Sequence, residues 1–276
     1  RRGLMISMHR SSGSVGDVIG PLIVGGLLVV VSWQTVLIGA IPLAAVFALG
    51  IWLLLRGAPQ WTASTTATTT DSRSFVNQMR TLRNVLKSPG LSKLIGIAML
   101  SGLGHGGLLM WLSLYLSESL NMGSVGIGIH VALLTGFGIV VGPLIGSMSD
   151  RVGRSRIISA VLIAKVTFAV SMALTGSGLL FSASVALMGT VFFGASSLIQ
   201  AAALDAAEGQ QLEGSMLGLL WGLNAVTTGI SPVIVGFLVE GIGYGTIFWY
   251  VAGVNAAAAL LSAFLPRESR ESSIPA

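Results

Sequence analysis

Residues 125–147 read VGIGIHVALLTGFGIVVGPLIGS, a stretch that contains no aspartate, glutamate, lysine or arginine. A helix of this length extends about 34 Å, which is enough to cross the hydrocarbon core of a bilayer. Inside a bilayer the backbone polar groups have no water to bond, and this favours a helix that satisfies them internally. The stretch therefore predicts a transmembrane helix.

Apolar stretches of similar length recur along the whole chain. Of its 276 residues, 53% are hydrophobic and only 9% are charged, whereas a soluble domain carries about 25% charged residues. The sequence therefore predicts an all-α integral membrane protein, a helical bundle with about eight transmembrane helices. We expect these spans at residues 12–31, 36–55, 94–115, 125–147, 157–177, 181–204, 215–238 and 244–265.

Lysine and arginine cluster on alternate connections between the spans. They occur before the first span, between the second and third, after the fourth and after the eighth, while the connections on the other side carry none. This distribution follows the positive-inside rule and predicts cytoplasmic termini in a multi-pass protein of the cell membrane, plasma or inner. The net charge of +5 thus reports orientation, and no nucleic-acid partner is expected.

One hydrophilic segment separates the first two spans from the other six. It contains a low-complexity stretch at Thr62–Thr70, followed by apolar residues at helical spacing over Phe75–Leu86. The second part predicts an amphipathic helix on the membrane face, either a brace between two bundles or an ordinary linker helix. We expect a remnant of an N-terminal bundle, a linker, a six-helix bundle and a tail at residues 1–57, 58–90, 91–267 and 268–276.

Three spans contain a proline beside small residues: GDVIGPLIVGG at 16–26, GIVVGPLIG at 138–146 and GISPVIVG at 229–236. A proline inside a soluble helix costs roughly 3 kcal/mol. In a membrane it is tolerated when neighbouring helices satisfy the freed carbonyl, and small residues let those helices approach closely. We expect either a moving seam between two halves of the molecule or tight packing without motion. The seam residues are Gly16, Gly20, Pro21, Gly25, Gly138, Gly142, Pro143, Gly146, Pro232 and Gly236.

Residues 146–156, GSMSDRVGRSR, resemble the cytoplasmic loop signature of the major facilitator superfamily, in the copy between its eighth and ninth spans. Residues 16–26 resemble the fifth-span motif of that family's proton-coupled antiporters, which include drug-efflux proteins. The resemblance implies a truncated chain that covers the last eight of twelve spans. It also implies a latch at the cytoplasmic helix ends, for which the alternative is incidental surface ion pairs worth at most about 1 kcal/mol. The latch residues are Asp150, Arg151, Gly153 and Arg154, with Asp205 and Glu208 as partners of Arg154.

Four ionisable side chains fall inside predicted spans, where a charge costs about 2.5–3.5 kcal/mol at the helix centre and so marks a candidate site. His130 lies near the outer end of its span, where we expect it to face the boundary, and the other three are the candidates. Lys165 could bind an anionic substrate group, exchange a proton, or extend to the headgroups. Asp17 could couple transport to protons or pair at the interface with Arg10 or His9. His105 is either a proton relay, a substrate ligand or a core histidine bonded to a carbonyl. Further candidate cavity walls are Trp111, Asn224 and Gln200.

No catalytic or metal-binding motif is present, and the chain has no cysteine, so neither an enzyme nor a cofactor is expected. The leading hypothesis is a proton-coupled secondary transporter that moves a small solute by alternating access, with efflux of an amphipathic compound as the favoured case. Uptake of an organic anion or another metabolite is the alternative. From another class, the chain could be a nontransporting membrane scaffold or sensor, or an inactive fragment. The expected partners are the lipid bilayer, a small-molecule solute and protons.

Overall fold

The computed structural model describes residues 2–56, 89–206 and 213–265. Within these ranges the chain is helical and contains no strand, as the apolar spans predict. The predicted linker helix, the predicted tail and Glu208 lie outside the described residues. The helices are α1 (Arg2–Leu27), α2 (Trp33–Arg56), α3 (Pro89–Leu114), α4 (Ser124–Val152), α5 (Arg154–Thr175), α6 (Gly178–Val191), α7 (Gly194–Ala206), α8 (Glu213–Ile242) and α9 (Thr246–Ser262), and a π-helical turn, Tyr115–Ser119, extends α3.

Among the described residues, six helical segments are long and apolar enough to cross a membrane, and two apolar helices are shorter. These eight segments correspond one to one to the eight predicted spans, so the expected all-α membrane bundle is confirmed. The six long segments are Trp33–Arg56, Gly90–Ser119, Ser124–Val152, Arg154–Thr175, Gly178–Asp205 and Met216–Ile242, and the two shorter ones are Val15–Leu27 and Thr246–Ser262.

Helices α1 and α4 run antiparallel and form the most extensive helix pair in the described part of the chain. Their backbones approach where glycine occurs on both sides. A Cβ atom built on Gly25 would lie 2.7 Å from the carbonyl oxygen of Ser124, and Gly128 meets the carbonyl of Pro21 in the same way. Since any side chain at these positions would collide with backbone, the small residues are what allow the contact.

A second group of packed helices consists of α3, α5, α6, α8 and α9. Helix α3 contacts α8 and α9, α9 contacts α5, and α6 lies against α4 and α5. An aromatic cluster closes one end of this bundle, where the ring of Tyr115 packs edge-on against Phe248 and lies close to Phe181. The Tyr115 hydroxyl donates to the carbonyl oxygen of Gly176. We call this the aromatic end, and the end that carries Arg56, Lys93, Arg151 and Arg154 the basic end.

The glycines of α3 set its distance from α8 and α9. A Cβ atom on Gly102 would collide with the Thr227 side chain, and one on Gly106 would collide with the carbonyl of Thr228. Ser231 on α8 donates to a carbonyl oxygen of α3, which adds a polar bond to the close packing. The glycine-rich face of α3 therefore forms part of its interfaces with α8 and α9.

Helix α2 differs from the other helices because none of its residues is buried among the described residues. Its large apolar side chains are exposed, and the guanidinium of Arg56 lies 5.0 Å from the centre of the Trp52 ring at the basic end. An apolar helix surface of this kind suits contact with lipid or with another transmembrane helix, since both are apolar.

Candidate functional site

A small cavity of about 70 Å³ lies between α3, α7 and α8. We call it the α3–α7–α8 cavity. Its walls combine aromatic rings with hydroxyl, imidazole and amide groups, the composition expected of a ligand site. His105, Gln200 and Asn224, all predicted candidates, line it. The residues that the sequence analysis did not single out include Ser101, Phe192, Phe193 and Ser196.

A second cavity, of about 360 Å³, lies between α1, α3 and α4, and we call it the α1–α4 cavity. The predicted carboxylate Asp17 lines it together with Gly16 and Pro21 of α1. His105 and Phe193 line both cavities, so they form a shared wall between them. Two of the three ionisable candidates, Asp17 and His105, therefore meet at one cavity.

Lys165 lies behind the wall of the α3–α7–α8 cavity and is only 4% exposed. Its ammonium donates to the Ser101 hydroxyl oxygen at 3.3 Å and lies 6.0 Å from the centre of the Phe192 ring. Both of these neighbours line the cavity. Within the described parts of the chain, no carboxylate lies within ion-pair distance of Lys165. The lysine is therefore directed into the bundle beside the cavity.

The wall that separates the two cavities is aromatic. The His105 imidazole stacks on Phe192, with ring centres 4.2 Å apart and planes 19° apart, and a tilted Phe193 lies 5.3 Å away. Both phenylalanines fall where the sixth span is interrupted, between the end of α6 and Gly194 at the start of α7. The sequence signal for this break was a Phe-Phe-Gly stretch in the middle of an apolar span.

The other two predicted wall residues have different surroundings. Asn224 lines the α3–α7–α8 cavity, and its amide donates to the carbonyl oxygen of Ala98 at 3.1 Å. The indole of Trp111 donates to the carbonyl oxygen of Pro232 at 2.9 Å, and the ring packs against Gly236. Trp111 lines neither of the two cavities, so the structure places it in the α3–α8 interface instead of at a cavity wall.

The predicted seam residues divide among three interfaces. Gly25 and Pro21 contact α4, whereas Pro232 and Gly236 face α3. Gly138 faces the carbonyl of Gly189 on α6. A Cβ atom on Gly16 or Gly20 would meet no described residue within 4 Å, so their place in a seam stays a prediction. For the other seam residues, Gly142 and Pro143 are half-buried and Gly146 is buried in α4.

The carbonyl that Pro21 leaves without its helical donor belongs to Asp17, four residues earlier. The hydroxyl of Thr135 on α4 lies 2.8 Å from this oxygen and 3.0 Å from the carbonyl oxygen of Val131 in its own helix. A neighbouring helix thus satisfies the freed group, as membrane prolines require. Thr135 was not predicted, because a threonine inside an apolar span carries no signal of its partner.

Arg154 joins three helices at the basic end. Its guanidinium donates to Asp205 of α7, and its Nη1 lies 3.1 Å from Asp150 Oδ1 of α4. We call these three residues the Arg154 cluster. The preceding Gly153 has φ +107°, a conformation that favours glycine, and it ends α4 and begins α5. Arg151 is exposed and forms no ion pair with a described residue.

The sequence profile of the Major Facilitator Superfamily matches residues 1–226, most of the chain. The protein belongs to the Major Facilitator Superfamily. Its members are membrane transporters, which agrees with the bundle of apolar helices and with the cavities inside it. A comparison with curated proteins finds no match. The chain is therefore a multi-pass membrane transporter for a small solute.

Proposed function

We propose that the protein is a proton-coupled secondary transporter that exports a small amphipathic solute by alternating access. One observation carries the proposal: His105 forms the wall between a cavity that contains the Asp17 carboxylate and a cavity backed by the Lys165 ammonium. Ionisable side chains inside a membrane protein are costly to retain, and they commonly mark the path of an ion or substrate.

Proton coupling is supported by the kinds of side chain that meet at the shared wall. Asp17 lines the α1–α4 cavity, and the imidazole beside it belongs to the residue type that changes charge near neutral pH. Protonation of Asp17 would remove a charge from the α1–α4 cavity without any other chemical change. The loss of this charge would change the free energy required to move α1 relative to α3.

Alternating access is supported by the unequal packing of α1. Near the aromatic end, Gly25 and Pro21 lie against the α4 backbone. Nearer the basic end, a Cβ atom on Gly16 or Gly20 would meet no described residue within 4 Å, and the Arg154 cluster holds α4, α5 and α7 together. We propose that the Arg154 cluster is the latch of one conformation and that α1 moves against α4 when the latch opens.

An amphipathic solute is supported by the walls of the α3–α7–α8 cavity, where the rings of Phe192 and Phe193 face the amides of Asn224 and Gln200. Aromatic walls with a few polar groups bind molecules that combine an apolar body with hydrogen-bonding groups. The likeness of residues 16–26 to the antiporter motif favours export. We further propose that the protein lies in the cell membrane with both termini in the cytoplasm, as the positive-inside pattern indicates.

The test uses the full chain in liposomes with an imposed pH gradient. The probes are two amphipathic dyes, ethidium and fluorescein, whose release is followed by fluorescence, with a protonophore to collapse the gradient. We expect the gradient to accelerate the release of at least one dye beyond that from empty liposomes. Protein-containing liposomes that behave like empty ones would instead favour a scaffold or sensor.

The Asp17→Asn variant tests the coupling step. We expect dye release by this variant to lose its dependence on the pH gradient, because the amide cannot take up a proton. Glu240→Gln is the matched control, since Glu240 is exposed near the end of α8 and lines neither of the two cavities. Gradient-driven release that is unchanged in Asp17→Asn would rule out this carboxylate as the coupling group.

A further inference from the structure

Lys165 is a buried cation that has no counterion among the described residues. It is 4% exposed, and within the described residues it has one hydrogen-bond acceptor, the Ser101 hydroxyl, and one aromatic ring, Phe192. An unpaired charge is costly to bury in an apolar interior. A neutral hydroxyl and a ring face offset only a part of that cost, so the site favours an anion that the described residues do not supply.

Ser101 links the lysine to the α3–α7–α8 cavity. Its hydroxyl oxygen accepts a hydrogen bond from the Lys165 ammonium at 3.3 Å, which leaves its own proton to donate elsewhere. The side chain lines the cavity, is 5% exposed, and donates to no acceptor in the described parts of the chain. A hydroxyl that is polarised by a cation is a stronger donor, and this donor faces the space that a ligand would occupy.

The rest of the wall of the α3–α7–α8 cavity also favours an anion. No aspartate or glutamate is among its described lining residues. Ser196, in the first turn of α7, lines the cavity, so the positive end of the helix dipole of α7 adjoins it. Interrupted membrane helices of this kind present a helix start to the anionic group of a substrate.

We propose that the α3–α7–α8 cavity binds the carboxylate of a small aromatic acid, with the Ser101 hydroxyl donating to a carboxylate oxygen and the Lys165 ammonium behind it as the counterion. The inference rests on the proposed function, for which this cavity is the solute site. The stacked rings of His105 and Phe192 provide the surface for the aromatic body.

The experiment measures binding, so that it does not depend on transport. Purified full-length chain in detergent is titrated with radiolabelled benzoate in a scintillation proximity assay. Benzamide and benzylamine, which have nearly the same shape but are neutral and cationic, serve as competitors. We expect saturable benzoate binding and competition by benzamide and benzylamine only at concentrations at least about tenfold higher than unlabelled benzoate requires.

Two variants separate the lysine from the hydroxyl. Lys165→Met keeps the length of the side chain and removes its charge, and we expect the affinity for benzoate to fall about tenfold to hundredfold. Ser101→Ala removes only the donor, and we expect a loss of about fivefold to tenfold. Lys93→Met is the matched control with unchanged benzoate affinity, because Lys93 donates to the carbonyl of Phe264 away from the cavity.

The outcomes distinguish the anion site from the transport proposal. Benzoate binding without dye release would support the site and count against the proposed function. Gradient-driven dye release with no preference for benzoate over benzamide would overturn the site and leave the function standing. The site is also overturned if benzoate shows no saturable binding, or if folded Lys165→Met binds it as tightly as the unmodified chain. Should Lys165→Met not fold, Ser101→Ala alone decides, and unchanged benzoate affinity overturns the proposal.

Discussion

At the scale of single residues, polar side chains inside the bundle bond to backbone carbonyls of neighbouring helices. Thr135 bonds the carbonyl that Pro21 exposes on α1, and Trp111 bonds the carbonyl of Pro232 on α8. Each of these bonds stabilises the fold, because a carbonyl that loses its partner inside the membrane finds no replacement in the lipid. The α1–α4 interface therefore depends on a hydroxyl as well as on glycine.

The Thr135→Val substitution removes this hydroxyl and keeps the shape of the side chain. We expect a loss of about 0.5–1.5 kcal/mol in the free energy of unfolding, because the Asp17 carbonyl loses its partner on α4. Thermal or detergent unfolding of the purified protein measures it. Thr167→Val is the matched control, since Thr167 is exposed and bonds only a carbonyl of its own helix. Equal losses in both variants would mean that the Thr135–Asp17 bond contributes nothing.

Part of the candidate site could be predicted from residue type alone. Asp17, His105, Gln200 and Asn224 line cavities, and all four are polar groups that an apolar span does not readily carry. Serine and phenylalanine are ordinary components of membrane helices, so Ser101 and Phe192 gave no signal. Both residues matter because their side chains line the α3–α7–α8 cavity, and this position depends on how α3, α7 and α8 pack together.

At the scale of helices, the spans follow from hydropathy but their contacts do not. A run of apolar residues has the same appearance whether it faces lipid or protein, since both are apolar environments. The sequence therefore gave no indication that α2 buries nothing while α3 is packed on several sides. The sequence also did not show which glycines lie at close helix contacts. Gly20 and Gly106 lie in equally apolar spans, but a Cβ atom on Gly20 would meet no described residue within 4 Å, whereas one on Gly106 would collide with a backbone carbonyl.

The Gly106→Ala substitution tests the packing of α3 against α8. An added methyl group would collide with the carbonyl of Thr228, and backbone can yield only by moving the helices apart. We expect a loss of about 1–3 kcal/mol of stability, measured as a lower midpoint of thermal unfolding. Gly222→Ala on α8 is the control, because a methyl group there meets nothing within 4 Å and alanine is the better helix former. An unchanged midpoint for Gly106→Ala would contradict the close approach.

At the scale of the whole molecule, the Arg154 cluster is the point where three helices are tied together by charge. Arg154 is 8% exposed and contacts carboxylates on α4 and α7. Removing the Asp205 carboxylate leaves the largely buried Arg154 with Asp150 alone from this cluster, so the conformation that contains the cluster loses stability relative to others. The division of the chain into the segments 1–57, 58–90, 91–267 and 268–276 stays a prediction.

The latch can be tested by chemical labelling, because the chain has no cysteine of its own. A cysteine introduced by Gly16→Cys faces the α1–α4 cavity. We expect Asp205→Asn to increase the rate of its reaction with a hydrophilic maleimide about fivefold, which corresponds to a shift of about 1 kcal/mol between conformations. Glu118→Gln, at the aromatic end, is expected to leave the rate unchanged. Equal rates in all three proteins would remove Asp205 from the latch.

Helix α7 has a cavity residue, Ser196, in its first turn and a latch residue, Asp205, in its last. It is a rod of 13 residues, about 20 Å long, whose link to α6 is interrupted at Phe192 and Phe193. A rigid helix transmits a displacement from one of its ends to the other. Thermodynamic linkage then makes the effect reciprocal. If ligand binding in the cavity changes the equilibrium for forming the Arg154–Asp205 bond by some factor, formation of that bond changes the affinity for the ligand by the same factor.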